Sequence, residues 1–477
     1  MNGPRLRAVK GAVRNRCVLV TGLILLVALG LRIGEVQRTA YQPVNDAGFY
    51  MDLASQVAHT GDYPTSQAPG TGAGGTRGPT AYFPPAFPYF LALVDLIDGH
   101  TGSAQSLAAH QTGATFDSAA VEPARISQAV VGAIIVGLIG LVALEAFGPA
   151  VALAALALAA IYPAFIELSA VLVAENLLTA FLLAAVWCAL RSRRSARPYG
   201  WLAGAGVFTG LAGLAHVNAI IVLIPLALAA WRTRRGLAAP ALIVLATLLT
   251  LTPWIVRNAV TMHRFVPVTD ENGITLVGTY NAASAADPQV PYRWRLYFSI
   301  PGEQALSAKA RTLTEPELSS RLQSQAFNYI SAHPLSPLEV LFDNSRRMLE
   351  LEGSTAWQIS ASSLDIPIAT ARIGVYSFWL LCLLALAGAF TVAARRGPWW
   401  LWLTAVLLWL SSAAVNGETP RFREAVDPFL ILLGACALAW TAEALAARLG
   451  RSPVGRQRGS AVAPGAAEGV QMVQRLA

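Results

Sequence analysis

Apolar stretches long enough, or nearly long enough, to cross a lipid bilayer recur along this chain, and that recurrence narrows the fold more than any other feature. A hydrocarbon core about 30 Å thick needs roughly 20 apolar residues per helix. Ten stretches approach or reach that length: 17–34, 126–146, 149–166, 170–190, 199–215, 217–231, 237–256, 372–393, 398–415 and 426–447. Pro163 separates the third from the fourth, and the polar pair His216 and Asn218 separates the fifth from the sixth. With 55% hydrophobic and only 13% charged residues in 477, the chain reads as an all-α polytopic membrane protein of about ten transmembrane helices.

The basic residues set its orientation. Arg5, Arg7, Lys10, Arg14 and Arg16 precede the first span, while RSRRSARP at 191–198, RTRR at 232–235, Arg395 and Arg396, and Arg448, Arg451, Arg456 and Arg458 follow later ones. Ten spans with both termini in the cytoplasm put every one of these clusters on the cytoplasmic side, whereas an odd number would not. The first span lacks a small-residue cleavage site after it and is read as an anchor. The net charge of +8 is thus an orientation signal, and no basic surface interleaved with aromatic residues points to nucleic acid. Cys17, Cys188, Cys382 and Cys436 lie in or beside spans and read as small buried residues. No close His, Cys, Asp and Glu cluster has metal-ligand spacing; a divalent metal or other cofactor has no support in the sequence.

The segments between spans divide the chain further. A basic cytoplasmic N-terminus (1–16) leads into a membrane module (17–257) whose outer loop, 35–125, begins with NDAGFYMDLASQVAHTGDYP at 45–64. There Phe49, Tyr50, Leu53, Ala54 and Val57 share one helical face, and Asp52, Ser55, Gln56 and His59 share the other, the pattern of a helix lying in the membrane interface. Asn45 or Asp46 is placed to cap it, and Gly61 with Pro64 to end it. A Gly-rich segment at 69–85 reads as a flap or a spacer, 86–97 as a second interfacial or re-entrant helix too short to span, and 99–121 as a polar loop. Residues 258–371 form an outer cap without a large core of its own, with helices around 315–332 and 338–351; spans eight to ten follow in 372–447, and 448–477 reads as a disordered cytoplasmic tail.

Charge at the edge of a membrane is costly and marks function. By this topology Asp46 after span one, Glu175 at the mouth of span four, Arg257 and Asn258 closing span seven, and Glu418, Arg421 and Arg423 before span ten all fall on the outer face. Each has a bland alternative: a helix cap for Asp46, a snorkelling end group for Glu175, a helix-dipole contact for Arg257, a solvated turn for 416–424. His216 and Asn218 read first as a hydrogen-bonded pair at a helix junction.

In chain order, NDAGFYMDLASQVAHTGDY, YFPPAFPYFLAL, AENL, TPWIVRN, GITLVGTYN and ETPRFREAVDPFLILL resemble glycosyltransferase family 39, the GT-C-fold group that includes protein O-mannosyltransferases and lipid A aminoarabinose transferases. The resemblance runs from span one to span ten. It implies a GT-C-like bundle acting at the extracytoplasmic face on a polyprenyl-phosphate-linked sugar donor. The acceptor would be a protein, glycan or lipid hydroxyl, and the surrounding partner membrane lipid. Asp46 would be catalytic, and Glu175, Arg257, Asn258, Arg421, Arg423, Tyr82, Tyr50 and His216 substrate-binding. Three positions depart from the family pattern. Asp46-Ala47 stands where many relatives have two adjacent acidic residues, so the base assignment rests on one carboxylate. Phe83 replaces the lysine that aminoarabinose transferases carry before the Pro-Pro pair, which argues against that substrate. His216 stands where many relatives have an arginine. A sugar-lipid transporter or flippase and a non-catalytic glycolipid-binding subunit are the competing readings; against the first, the charges gather at one face instead of the bilayer midplane.

Overall fold

A computed structural model describes residues 3–63, 76–99, 116–234 and 236–449. Among them the protein is helical throughout, with no strand beyond one isolated bridge between Arg77 and Thr314. Helices α1 (Gly3–Arg38), α4 (Ser118–Phe147), α5 (Pro149–Ile161), α7 (Glu175–Ser192), α8 (Pro198–Ala215), α9 (Leu223–Arg234, entered through a 3-10 turn Val217–Val222), α10 (Ala238–Met262), α17 (Ile368–Ala389), α19 (Trp399–Ala413) and α20 (Asp427–Leu449) occupy the ten expected stretches. Six of these regions are long and apolar enough to cross a membrane by themselves: Cys17–Arg38, Ser118–Phe147, Glu175–Ser192, Ala238–Met262, Ile368–Ala389 and Asp427–Leu449. Pro149–Ile161, Val217–Thr233 and Trp399–Ala413 are shorter apolar helices. This is a multi-pass membrane protein.

Helix α7 is the hub. It is buried on nearly every side, between α4 and α8, with Leu183, Ala185 and Val186 wholly enclosed. Where helices meet without water to drive them together, close backbone approach takes the place of bulky packing. At Gly206 a Cβ would lie 2.4 Å from Ile243 O, so α8 can touch the backbone of α10 only as glycine. The break at Pro163 appears as expected, α5 ending at Ile161 and a short α6 (Pro163–Leu168) following. Several buried charges in the bundle were not foreseen, Arg125, Glu167 and Glu424 among them; Arg32 of α1 is fully buried and donates to Ser169 Oγ and to the carbonyls of Ala28, Ala159 and Ala160, pinning that break. All four cysteines are free; Cys188 and Cys436 are buried as expected, but Cys17 is exposed on α1.

On one side of the bundle lie α2 (Asp46–Thr60) and α3 (Ala86–Asp98), packed on each other. The expected apolar face of α2 is inward, with Tyr50, Leu53, Ala54 and Val57 buried; Asp52, assigned to the polar face, is buried too, beside α3. Neither Asn45 nor Asp46 caps α2 with its side chain. Asn45, at φ 49°, turns its amide to Ser363 O at 3.1 Å, and Asp46 is engaged elsewhere. The 69–75 part of the Gly-rich segment, the 100–115 part of the polar loop, most of the C-terminal tail and the side chains of the basic N-terminus lie outside the described residues.

The cap region holds α11 (Asn272–Thr279), α12 (Ala282–Ala285), α13 (Gln304–Lys309), α14 (Glu315–Ala332), α15 (Ser336–Met348) and α16 (Ser354–Ser363), with α18 (Val392–Arg396) on the far side between α17 and α19. Helix α14 starts at a Thr314–Glu317 capping box and stops at His333, matching the sequence expectation. The cap does have a core of its own, built on Ile274, Val277, Tyr280, Leu318, Leu322 and Val340, small beside that of the bundle. Val266, Ala361, Leu364 and Ile366 join the bundle's core, and hydrogen bonds add to that attachment. Thr279 Oγ1 donates to Val415 O, Tyr280 Oη to Ala414 O and Asn344 Nδ2 to Ala413 O, at 2.6, 2.7 and 2.8 Å. Glu315 accepts from Thr80 Oγ1 and Ala81 N at 2.6 and 2.8 Å, strapping the middle of the first outer loop, just before α3, to α14.

Candidate active site

The first helical turn of α7 presents Glu175, where the partial positive charge of the helix N-terminus favours an anion. The turn between α19 and α20 brings Arg421 over it. Arg421 Nε lies 2.5 Å from Glu175 Oε1, and Arg421 Nη1 lies 2.7 Å from Asp46 Oδ2 at the start of α2. One guanidinium therefore joins two carboxylates that are far apart in sequence. Burial works against the charge on Arg421, but Glu175 and then Asp46 outweigh it and hold the guanidinium more firmly protonated than usual. The two acids differ in reach: the Glu175 side chain is 2% exposed and Asp46 37%, so only Asp46 can meet a ligand from outside without rearrangement.

Above this triad opens a cavity of about 170 Å³. Asp46 and Tyr50 line it from α2, Tyr82, Phe83 and Pro84 from the middle of the first loop, His216, Val217 and Asn218 from the break after α8, and Ser411, Ser412, Val415 and Asn416 from α19 and its exit. Glu418, Arg421 and Phe422 close the floor, and the cap contributes Thr269, Glu271, Asn272, Thr275 and Trp294. Tyr82 is fixed by its ring against Phe83 and by its carbonyl, which receives the Thr269 hydroxyl. His216 Nδ1, Asn218 Oδ1, Trp294 Nε1 and Glu175 Oε2 are buried with no hydrogen-bond partner. Buried polar atoms are nearly always paired in a finished structure, so the three of these whose residues line the cavity, on His216, Asn218 and Trp294, mark a place where a ligand or water completes the bonding. His216 and Asn218, expected as a hydrogen-bonded pair, both line the cavity, and Asn218 Nδ2 approaches Ser412 Oγ at 3.5 Å.

Of the nine residues expected in the site, Asp46, Glu175, Arg421, Tyr50, Tyr82 and His216 come together here. Arg257, Asn258 and Arg423 do not line the cavity. Arg257 donates to Thr80 O at 2.7 Å and Tyr63 O at 3.4 Å and lies over the rings of Tyr63 and Trp254, while Asn258 accepts from Arg257 and donates to Val266 O at 3.0 Å. That arrangement ties the loop ends to α10. Arg423 points the opposite way from Arg421, because the 3-10 turn Arg421–Arg423 puts residues two apart on different sides. Its side chain is 1% exposed, meets Glu350 at 2.9 Å and Asp427 at 3.1 Å, and donates to Met348 O at 2.8 Å. Arg423→Ala leaves two buried carboxylates without their cation, and about 3–5 kcal/mol of stability is expected to go with it, read as a fall in thermal midpoint in detergent.

Glu271 and Trp294 were absent from the sequence reading. Glu271 immediately precedes α11, whose GIT sequence carried part of the family resemblance, and its own place is set by several bonds. Asp270 N donates to Ala81 O at 3.0 Å and Glu271 N to Thr269 Oγ1 at 3.1 Å. Gly273 packs so closely on α14 that a Cβ would come 2.1 Å from Ser319 O. Burial and then the nearby Asp46 push the Glu271 carboxyl up to about 7, and burial raises that of Glu418 as well.

Over residues 112–256 the sequence matches the family model described as dolichyl-phosphate-mannose-protein mannosyltransferase. The oligosaccharyltransferase of Archaeoglobus fulgidus, tethered with an acceptor peptide containing the NVT sequon, superposes with a TM-score of 0.56 at 15% identity over 96% of this chain and 53% of its own. The archaeal oligosaccharyltransferase AglB from the same organism, in complex with an inhibitory peptide and a dolichol-phosphate, gives 0.52 at 15% identity over 97% and 54%. The fold is that of the GT-C membrane glycosyltransferases. The resemblance read from the order of motifs is borne out, and the chain spans about half the length of these solved structures. ArnT from Cupriavidus metallidurans bound to undecaprenyl phosphate aligns with 93% of this chain and 81% of its own at 16% identity, with a TM-score of 0.38. No curated protein matches the chain significantly.

Proposed function

We propose that this protein is a glycosyltransferase that moves a sugar from a polyprenyl-phosphate-linked donor to an acceptor hydroxyl at the extracytoplasmic face, with inversion. The observation that carries the reading is Arg421 shared between Asp46 and Glu175 on the floor of a cavity at the membrane's edge. The family match over 112–256 and the dolichol-phosphate held by the AglB structure support a lipid-linked donor. The site lies at the end of α7 opposite Arg191, which pairs with Glu145 at 3.0 Å, and the positive-inside rule supports a cavity on the outer side.

Arg421 takes the donor's phosphate with charge-assisted hydrogen bonds, in place of Asp46. Asp46, released from the guanidinium, removes the acceptor hydroxyl's proton as the acceptor oxygen bonds to the anomeric carbon and the bond from that carbon to the phosphate oxygen breaks. The electron pair leaves on the phosphate, already a good leaving group, so no second acid is needed to protonate it; Arg421 stabilises the charge that builds there. A single displacement inverts the centre. Glu175 keeps Arg421 in place from below, and Tyr50, Tyr82 and His216 border the space for sugar and acceptor. Arg257, Asn258 and Arg423 serve by holding the walls.

Mass spectrometry of envelope glycans and glycoproteins from cells with and without this protein is expected to show loss of one sugar substituent. Vesicles in which it carries a sugar lipid across the bilayer with the sugar linkage intact would instead make it a transporter.

A further inference from the structure

The cavity holds more carboxylate than cation. Asp46, Glu271 and Glu418 line it, Arg421 is the one cation among its described lining residues, and Arg421 is already shared with Glu175. A lipid phosphate adds at least one further negative charge beside these carboxylates, and like charges repel. Of the three carboxylates, Asp46 has the guanidinium and Glu418 receives the Ser363 hydroxyl. Glu271 makes no ion pair with any described residue, and its backbone is held by hydrogen bonds at the edge of the cavity.

We propose that Glu271 takes up a proton when a lipid phosphate occupies this cavity, so that the phosphate is bound against a neutral carboxylic acid; this rests on the phosphate-binding reading above. The proton comes from solvent, the carboxylate becomes a carboxylic acid, and no bond of the ligand breaks. In the empty site burial, then Asp46, and more weakly Glu175, hold the Glu271 carboxyl up at about 7, with Arg421 and the Thr275 hydroxyl opposing. Tyr50 on α2, Tyr82 on the first loop, His216 at the break after α8 and Glu418 on the last loop also face this space. A phosphate has the same sign as Asp46 and pushes the same way. Above pH 7 a proton must then be bound together with the ligand, and affinity falls by up to about tenfold per pH unit.

Calorimetry of undecaprenyl phosphate binding to the full chain in lipid nanodiscs, at pH 6 and pH 8 and in two buffers of different ionisation heat, reads this proton directly. The ligand's own ionisation is common to all variants, so the difference between proteins isolates the side chain. Unmodified protein is expected to take up close to one proton more than Glu271→Gln at pH 8. The variant should bind about tenfold tighter than unmodified protein at pH 8 and within about twofold at pH 6, the ratio that one proton at a carboxyl near 7 requires. Equal proton uptake and equal pH 8 affinity in the two proteins overturns the inference, as does loss of the uptake in Glu418→Gln instead. Weaker binding of Glu271→Gln at both pH values makes Glu271 a structural residue and also overturns it. Unmodified protein that binds no undecaprenyl phosphate at either pH removes the phosphate-binding reading itself.

Discussion

Asp46→Asn is expected to abolish sugar transfer, with turnover down by about 10³-fold, the middle of the range a positioned general base contributes. The same substitution should tighten binding of the donor's lipid phosphate. Asp46 and the phosphate compete for one face of Arg421, and an amide competes far less well than a carboxylate for a guanidinium. Loss of rate together with gain of affinity distinguishes this reading from simple damage, which lowers both. Transfer assays with reconstituted protein, paired with binding of undecaprenyl phosphate, measure the two quantities. Near-normal turnover in Asp46→Asn removes Asp46 as the base.

Arg421→Ala carries the second large effect, and it acts on fold and chemistry together. Glu175 is left 2% exposed with no counter-ion, its Oε2 already unpaired, at a cost of about 3 kcal/mol or more in stability. Donor affinity and leaving-group stabilisation are lost at the same site, and together a fall in kcat/KM of at least about 10²-fold is expected. Arg421→Ala combined with Glu175→Gln separates the contributions. Neutralising Glu175 should restore most of the thermal midpoint without restoring transfer. A double variant that regains activity would reduce Arg421 to a structural brace.

The extent to which the site was legible follows from where each side chain's partners lie. Glu175 and Asp46 could be picked out because a charge at the rim of an apolar stretch violates the local pattern, and such a violation is visible in one dimension. Their meeting through Arg421 spans 246 residues from Glu175, and no local period encodes that. Arg421 and Arg423 looked alike in sequence, two basic residues in one outer loop, yet a single 3-10 turn gives one to the cavity and the other to a buried brace. Arg257 was read by its position at a helix end, but α10 runs on to Met262, and the carbonyls of Thr80 and Tyr63 and two aromatic rings occupy the guanidinium. Glu271 sits in DENG, a sequence with every mark of a solvated turn. It became part of the site because the cap folds back onto the middle of the first loop and onto α14.

The sequence by itself determined that the chain is a helical membrane protein, where along it the apolar helices lie, and which motifs it shares with the GT-C group. Those properties depend on short-range physics: the length of an apolar run, the breaking effect of proline, and capping within one turn. Only the tertiary structure decided which charges share a cavity and which are spent on bracing. A charged side chain's role is set by the field of groups brought beside it from other helices, and that field exists only once the helices have packed.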